Sequence, residues 1–392
     1  MSCGFQKALG AAVLVGVLAG GAGPAAAAGD ADAPGVTADT ITIGTTNPLT
    51  GTVASACKPV SDGALAWFDH VNATGGINGR KIDNLVLDDQ YTAQQALANA
   101  RQLAAKPVLV FFGGCGTIQV PAILQVAKKE DIPYLFPYAG MQQLLQEPSV
   151  FLLLPLYESQ FAALIPKLLK ENGAGSVFAV IQQVPGSQKT LETVEAAVRK
   201  AGGTMVGSAF TTAGQSDQTP LVLKIKEANP DYVVMAESAP DAARIFKVMQ
   251  SQSGFPKKFV IGQSTMTTGA FIDPVGDVAN GRMLALTPTE PATSESAETC
   301  NKALAAKGMP PEGFGLFGCA AAQVLTEALK QTGKDLTRAS LMKTLQTWSA
   351  KQASPLLPPL SFAPGANMGE RSMILIGVDG GKFVDKGTVS LE

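Results

Sequence analysis

The stretch Val108-Leu109-Val110-Phe111-Phe112-Gly113-Gly114-Cys115-Gly116-Thr117 decides how this chain is read. Its apolar half is a continuous run of strand length with no polar alternation, the pattern of a strand buried on both faces. The glycines break it, and Val120 to Lys129 follows with the spacing of a helix. A buried strand feeding a helix through a glycine turn calls for a parallel sheet with helices on both sides.

The same unit recurs outward from this stretch. Upstream, Ile41-Thr42-Ile43-Gly44 predicts a strand that ends at Pro48-Leu49-Thr50-Gly51. Between Pro59 and Asn72, Val60, Ala64, Trp67, Phe68 and Val71 fall at helical spacing before Thr74-Gly75-Gly76 stops the segment. Ile82 to Leu87 is a further strand, and Thr92 to Ala105 a helix with Ala96, Leu97, Ala100 and Leu103 on one face. Downstream, Tyr134 to Pro137 closes a fourth strand. The alternation then restarts: strands over Ser176–Ile181, Thr204–Ala209, Tyr232–Met235 and Lys258–Gly262, helices over Gln188–Ala201, Thr219–Ala228 and Ala239–Gln252. Met283–Leu286 leads away, Phe314–Thr332 and Thr337–Thr347 are helices, and Met373–Val378 with Lys382–Val384 forms a hairpin around Asp379-Gly380-Gly381. The predicted fold is α/β, with two doubly wound, Rossmann-like lobes. Ligands in such sheets bind at the carboxyl ends of the strands, so the cleft between the lobes is the expected site.

Composition narrows the function. Thirty Lys and Arg against 32 Asp and Glu give a net charge of −2, with no basic block to meet nucleic acid. A single histidine, His70, placed on the exposed side of a helix, leaves little material for metal or triad chemistry. No Gly-x-Ser-x-Gly occurs, and Gly113-Gly114-Cys115-Gly116 lacks the Lys and the spacing of a phosphate loop. The chain is therefore read as no enzyme, without cofactor or metal.

Residues 1–28 read as a secretory signal: Lys7, an apolar stretch from Ala8 to about Leu18, then Ala26-Ala27-Ala28 with cleavage after Ala28. The apolar part is shorter than the roughly 20 residues a membrane span needs. Cys3 precedes that stretch, so it is not a lipid-bearing cysteine. Export leaves Cys57, Cys115, Cys300 and Cys319, an even number in an oxidising compartment. Their spacing is not that of zinc or Cys-x-x-Cys redox sites. We favour Cys57–Cys115, joining two loops that the fold brings together, and Cys300–Cys319, closing a loop between two helical segments; buried free thiols are the alternative.

Taken in order, several pieces resemble the leucine/isoleucine/valine-binding protein family, type I periplasmic substrate-binding proteins of bacterial ABC importers. They are Ile43-Gly44 with Pro48-Leu49-Thr50-Gly51; Val71-Asn72-Ala73-Thr74-Gly75-Gly76-Ile77-Asn78-Gly79-Arg80-Lys81-Ile82; Leu87-Asp88-Asp89; Ala98-Asn99-Ala100; Gly113-Gly114; and Ile132-Pro133 before Phe136-Pro137. The resemblance covers nearly all of the chain beyond the signal. It implies a soluble periplasmic monomer that closes by hinge motion on a small-molecule ligand and delivers it to a membrane permease. A sensory protein that presents its bound state to a receptor is the alternative.

The resemblance also implies three crossings, near Phe151–Tyr157, Met283–Thr289 and Leu356–Phe362. After a linker at 29–38, residues 39–153 and 287–358 then form the first lobe, and 154–286 with 359–392 the second. Ligand contacts transfer position by position. Cys115, Gly116 and Thr117 in one turn, and Tyr138, Ala139 and Gly140 in the next, match the turns that hold a ligand carboxylate, with Gly140 where the family commonly has Ser or Thr. In the second lobe the expected ammonium-binding acid is missing from Gly262-Gln263-Ser264-Thr265, and Pro185 in Gln183-Val184-Pro185-Gly186 replaces an aromatic residue. Glu237 is the remaining acid that could pair an ammonium, although it also reads as an acid at the N-terminus of the next helix. Without that pairing, the second lobe offers amides and hydroxyls such as Gln182, Gln183, Ser238 and Ser264. Tyr138 and Tyr157 stand at cleft-facing turns or in the hinge, and Asp88-Asp89 reads first as a cap for the following helix.

Overall fold

The computed structural model describes residue 1, residues 33–51 and residues 53–391, so the expected signal and its cleavage site lie outside the described residues. The first lobe is built from β1 (Thr40–Asn47), α1 (Ala54–Ala73), β2 (Lys81–Asp88), α2 (Ala93–Ala104), β3 (Phe111–Phe112), α3 (Val120–Lys129), β4 (Tyr134–Leu135) and β5 (Val150–Phe151). Its strands form one parallel sheet in the order β2-β1-β3-β4-β5. The apolar stretch at 108–112 lies in the middle of that sheet, and Val108 through Phe112 are all buried. Its ladder reaches beyond β3: Leu109 N–H donates to Thr42 O at 2.8 Å and Gly44 N–H to Val110 O at 3.0 Å.

The chain then builds the second lobe from α4 (Tyr157–Asn172), β6 (Ser176–Gln182), α5 (Ser187–Lys200), β7 (Thr204–Thr211), α6 (Thr219–Ala228), β8 (Tyr232–Ala236), α7 (Ala239–Ser251), β9 (Phe259–Gly262), α8 (Gly269–Val275) and β10 (Met283–Thr287). It returns to the first lobe for α9 (Glu298–Ala305), α10 (Gly313–Thr332) and α11 (Arg338–Gln346), and ends with β11 (Ser372–Asp379) and β12 (Lys382–Ser390). The second sheet runs β12-β11-β10-β9-β8-β6-β7, parallel except for the terminal hairpin.

Local sequence explains why several elements start where they do. Thr92 caps α2 by accepting from Gln95 N–H at 3.2 Å, and Thr337 with Ser340 makes a reciprocal capping box on α11. Pro stands in the first turn of α3, α6 and α7, where its missing N–H costs nothing. Helix α10 is buried along almost its whole length against α1. Backbones meet there directly: a Cβ on Gly63 would lie 1.9 Å from Gly315 O, and one on Gly318 1.9 Å from Val60 O. Only glycine allows so close an approach.

Four points differ from the sequence reading. Helix α1 begins five residues before Pro59, placing Cys57 in a helix where a loop is expected; early in a helix, Pro disturbs little. Residues 157–172, left without an element, form α4, with Phe161, Leu164, Ile165, Leu168 and Leu169 buried at helical spacing. The third crossing falls later than Leu356–Phe362. Residues 359–369 stay on the first lobe: Leu360 pairs with Lys351, Phe362 packs on Phe151 at 5.0 Å, and Gly369 N–H donates to Leu152 O at 2.9 Å. Phe362 and Leu360 find their burial there, and the chain leaves only for β11. Finally, neither Asp88 nor Asp89 caps α2, since Thr92 does.

The structure pairs Cys57 with Cys115, Cα atoms 5.5 Å apart, and Cys300 with Cys319, 6.2 Å apart. Both bonds lie in the first lobe. His70 is exposed and stacks on Trp67, with ring centroids 5.1 Å apart.

Candidate ligand-binding cleft

The carboxyl ends of the two sheets border an interlobe cleft of about 380 Å³. Parallel strands stop there together, so the turns that follow them project their residues into the same space. On the first-lobe side, Cys115, Gly116 and Thr117 follow β3, Tyr138 and Gly140 follow β4, and Tyr91 follows β2. On the second-lobe side, Val184 and Pro185 follow β6, Glu237 and Ser238 follow β8, and Gln263 and Thr265 follow β9. Phe314, from the start of α10, and Tyr157, from the start of α4, close the inner end.

The lobes touch beside the cleft. Glu312, the N-cap of α10 in the first lobe, accepts from Gly315 N–H at 2.7 Å and from Gly269 N–H, at the start of α8 in the second lobe, at 3.4 Å. Burial raises its carboxyl above the usual range. Tyr138 sits edge-on between Phe314 and Phe317, at 4.6 and 4.7 Å between ring centroids. Burial pushes its hydroxyl well above the ordinary tyrosine value, as it does for Tyr157, so both rings stay neutral.

The two acids at the β8–α7 junction differ. Asp241 occupies the first turn of α7, where it accepts from Ser238 Oγ at 2.7 Å and Gly214 N–H at 3.1 Å and pairs with Arg244. The role of N-terminal helix acid therefore belongs to Asp241, not to Glu237. Glu237 is 1% exposed; its Oε1 accepts from Thr211 Oγ1, and its Oε2 has no hydrogen-bond partner among the described residues. Burial first, and the nearby Asp241 charge second, push its carboxyl up to about 8. At neutral pH it is mostly the neutral acid.

Of the residues singled out from sequence, Cys115, Gly116, Thr117, Tyr138, Gly140, Pro185 and Glu237 border the cleft. Ala139, Gln183 and Ser264 do not. Ala139 is buried in the core behind the turn. Gln183 is exposed, because adjacent residues at a strand end point to opposite sides; Gln182 faces the cleft in its place. Ser264 is buried under the surface, with its N–H donating to Gln160 Oε1 at 3.2 Å, and its neighbours Gln263 and Thr265 border the cleft. Gly140 has a steric reason for departing from Ser or Thr: a Cβ there would lie 2.7 Å from Pro155 O, in the first crossing. Sequence reasoning missed Tyr91 and Phe314. Tyr91 follows a strand end, so the carboxyl-end rule could have found it, whereas Phe314 comes from a distant segment with no local signal.

Residues 40–382 match the periplasmic binding protein family. The chain belongs to that family. Its two α/β lobes are those of a type I periplasmic binding protein, a family of binding proteins and not of enzymes. It is 26% identical to the Leu/Ile/Val-binding protein homolog 3 of Brucella melitensis over 348 residues, 88% of this chain and 93% of that one. Two solved structures share the fold. A fatty acid ABC transporter substrate-binding protein from Thermomonospora curvata has a TM-score of 0.83 at 20% identity, covering 92% of this chain and 95% of that one. A branched-chain amino acid ABC transporter protein from Thermus thermophilus with bound valine has a TM-score of 0.82 at 20% identity, covering 90% and 97%. In this periplasmic binding protein, no helix among the described residues is long and apolar enough to cross a membrane.

Proposed function

We propose that this protein is the extracytoplasmic solute-binding component of an ABC importer, and that its ligand is a small organic carboxylate without an α-ammonium group. The observation that carries the ligand class is Glu237. Its carboxyl, neutral at pH 7 with an unengaged Oε2, offers a ligand a hydrogen-bond donor and no counter-charge. Asp241, behind the cleft, is already matched by Arg244, and Glu158, the other acid that borders the cleft, accepts from Thr190 Oγ1 at 3.2 Å. Enclosing an ammonium without a paired charge costs several kcal/mol.

The opposite wall suits an anion. Thr117 borders the cleft, and its backbone N–H has no acceptor among the described residues. A backbone donor at a turn that follows a strand end is positioned to receive an anion. Between the two polar ends, Tyr138, Tyr157, Phe314, Val184 and Pro185 enclose an apolar body. The fatty acid in the description of the Thermomonospora protein is a carboxylate of this class, while the valine of the Thermus protein carries an ammonium that Glu237 does not match. Export with cleavage after Ala28, closure of the lobes and delivery to a membrane permease complete the proposal.

Calorimetry on protein unfolded and refolded free of ligand tests it, with octanoate and benzoate against L-leucine and L-valine. We expect heat from an acid, none from the amino acids, and an acid affinity in Glu237→Gln within about threefold of wild type. Tighter binding of L-leucine, lost in Glu237→Gln, would overturn the ligand class. A sensory role would leave these affinities unchanged and appear as capture by a receptor in place of stimulation of permease ATPase activity.

A further inference from the structure

Two consecutive non-glycine residues at the end of β2 take left-handed backbone: Gln90 with φ +53° and Tyr91 with φ +61°. Residues with bulky side chains avoid this region, and a pair of them persists only where neighbours enforce it. Asp88 and Asp89 do so. Asp88 Oδ1 accepts from Gln90 N–H at 2.9 Å and Leu49 N–H at 2.9 Å, while Thr50 Oγ1 donates to its Oδ2 at 2.6 Å. Asp89, fully buried, accepts from Tyr91 N–H at 3.0 Å through Oδ1 and from Thr46 Oγ1 at 3.0 Å through Oδ2. Asn99 extends this bracing, donating to Thr46 Oγ1 at 3.1 Å and to Asp88 O at 2.8 Å.

The braced turn delivers the Tyr91 ring onto Gly116. A Cβ on Gly116 would lie 2.5 Å from Tyr91 Cε2, so the glycine, itself at φ +118°, leaves the space that the ring fills. Burial raises the Tyr91 hydroxyl above its ordinary value while the neighbouring Thr117 side chain acts in the opposite direction, and both residues border the cleft. Two neighbouring hydroxyls carry two protons, and a bond between them uses only one, so the pair keeps an O–H to donate.

We propose that Tyr91 is a ligand-contacting, specificity-determining residue, that its hydroxyl and that of Thr117 act as a pair receiving the ligand's carboxylate, and that Asp89 is its positioning residue. The proposal takes the carboxylate from the reading above, but an amino acid also carries one, so the two can fail separately. A hydrogen bond to a charged group corresponds to a loss of about 10- to 100-fold in affinity when removed.

The experiment is calorimetry with octanoate, benzoate and L-leucine on wild type, Tyr91→Phe and Asp89→Ala, together with amide hydrogen exchange on the ligand-free wild type and on Tyr91→Ala. For each probe that wild type binds, Tyr91→Phe is expected to weaken binding at least tenfold with an unchanged unfolding temperature, because it keeps the ring over Gly116 and removes only the hydroxyl. Asp89→Ala is expected to weaken the same probe and to speed exchange of the Tyr91 amide. Binding within twofold of wild type in Tyr91→Phe would overturn the proposal. L-leucine binding that Tyr91→Phe weakens tenfold would sink the ligand class while sustaining Tyr91. Should wild type bind none of the three probes, exchange at residues 115–117 decides: faster in Tyr91→Ala sustains the placement of the ring, and equal rates overturn it.

Discussion

The two walls of the cleft are built on opposite plans. The first lobe carries both disulfides, and its wall is fixed backbone and neutral aromatic rings: the Gly116 turn tied to α1 through Cys57–Cys115, with Tyr91 and Tyr138 packed over it. The second lobe has no disulfide among the described residues, and its wall holds the acids Glu237 and Glu158, each with one carboxyl oxygen that has no hydrogen-bond partner among the described residues. One side of the ligand thus meets a covalently fixed platform, while the other meets a group whose protonation sets what it can recognise. For the hinge closure proposed above, this division prearranges the first lobe and leaves selection by charge to the second.

Removing a crosslink is the strongest way to break this contrast. Cys57→Ala with Cys115→Ala opens a 58-residue loop and is expected to cost about 4 kcal/mol, against about 3 kcal/mol for the 19-residue Cys300–Cys319 loop. Urea unfolding followed by hydrogen exchange should place the loss in the first lobe; equal loosening of β6 and β8 would show that the lobes do not differ in this way.

Acid–base behaviour tests the second wall. Glu237 binds its proton more tightly folded, at about 8, than unfolded, near 4.5. Between those values the folded state holds more protons, so its contribution falls as pH rises, by at most about 1.4 kcal/mol per pH unit. Glu237→Gln is expected to remove a loss on the order of 3 kcal/mol between pH 5 and 8, read as the difference between the two pH–stability curves. Parallel curves would place Glu237 in a more solvated state than its burial indicates.

Smaller effects sharpen the first wall. Gly140→Ser puts a Cβ against Pro155 O and is expected to destabilise by about 1–3 kcal/mol without restoring a family-type contact. Unaltered stability in chemical denaturation would show that the first crossing yields easily. Gln90→Gly relieves one left-handed residue and should raise stability by up to about 1 kcal/mol, seen as a higher melting temperature; a lower one would mean that the Asp88–Asp89 brace carries no strain.

Much of the fold is legible in the sequence because its signals are local. The run at 108–112, the helix at 120–129 and the turn at 74–79 each announce themselves through periodicity or glycine, and the two α/β series follow from their order. The third crossing was not legible, since Phe362 is held by Phe151 and Trp348, neither of which it neighbours in sequence. The site divides in the same way. Gly116 and Thr117 follow a strand end and are found by rule, whereas Gln182 and Gln183 are separated only by which face the strand turns inward.

By itself the sequence determined the α/β class, the repeated lobe pattern and the turns that border the cleft, because strand and helix periods and glycine breaks depend on near neighbours alone. Tertiary structure decided the chemistry of the site. Whether Glu237 or Asp241 is neutralised, whether Tyr91 reaches Thr117, and whether Gly140 has room for a side chain depend on burial and on distances between residues far apart in the chain. Desolvation and steric exclusion act through those distances, which no local pattern records.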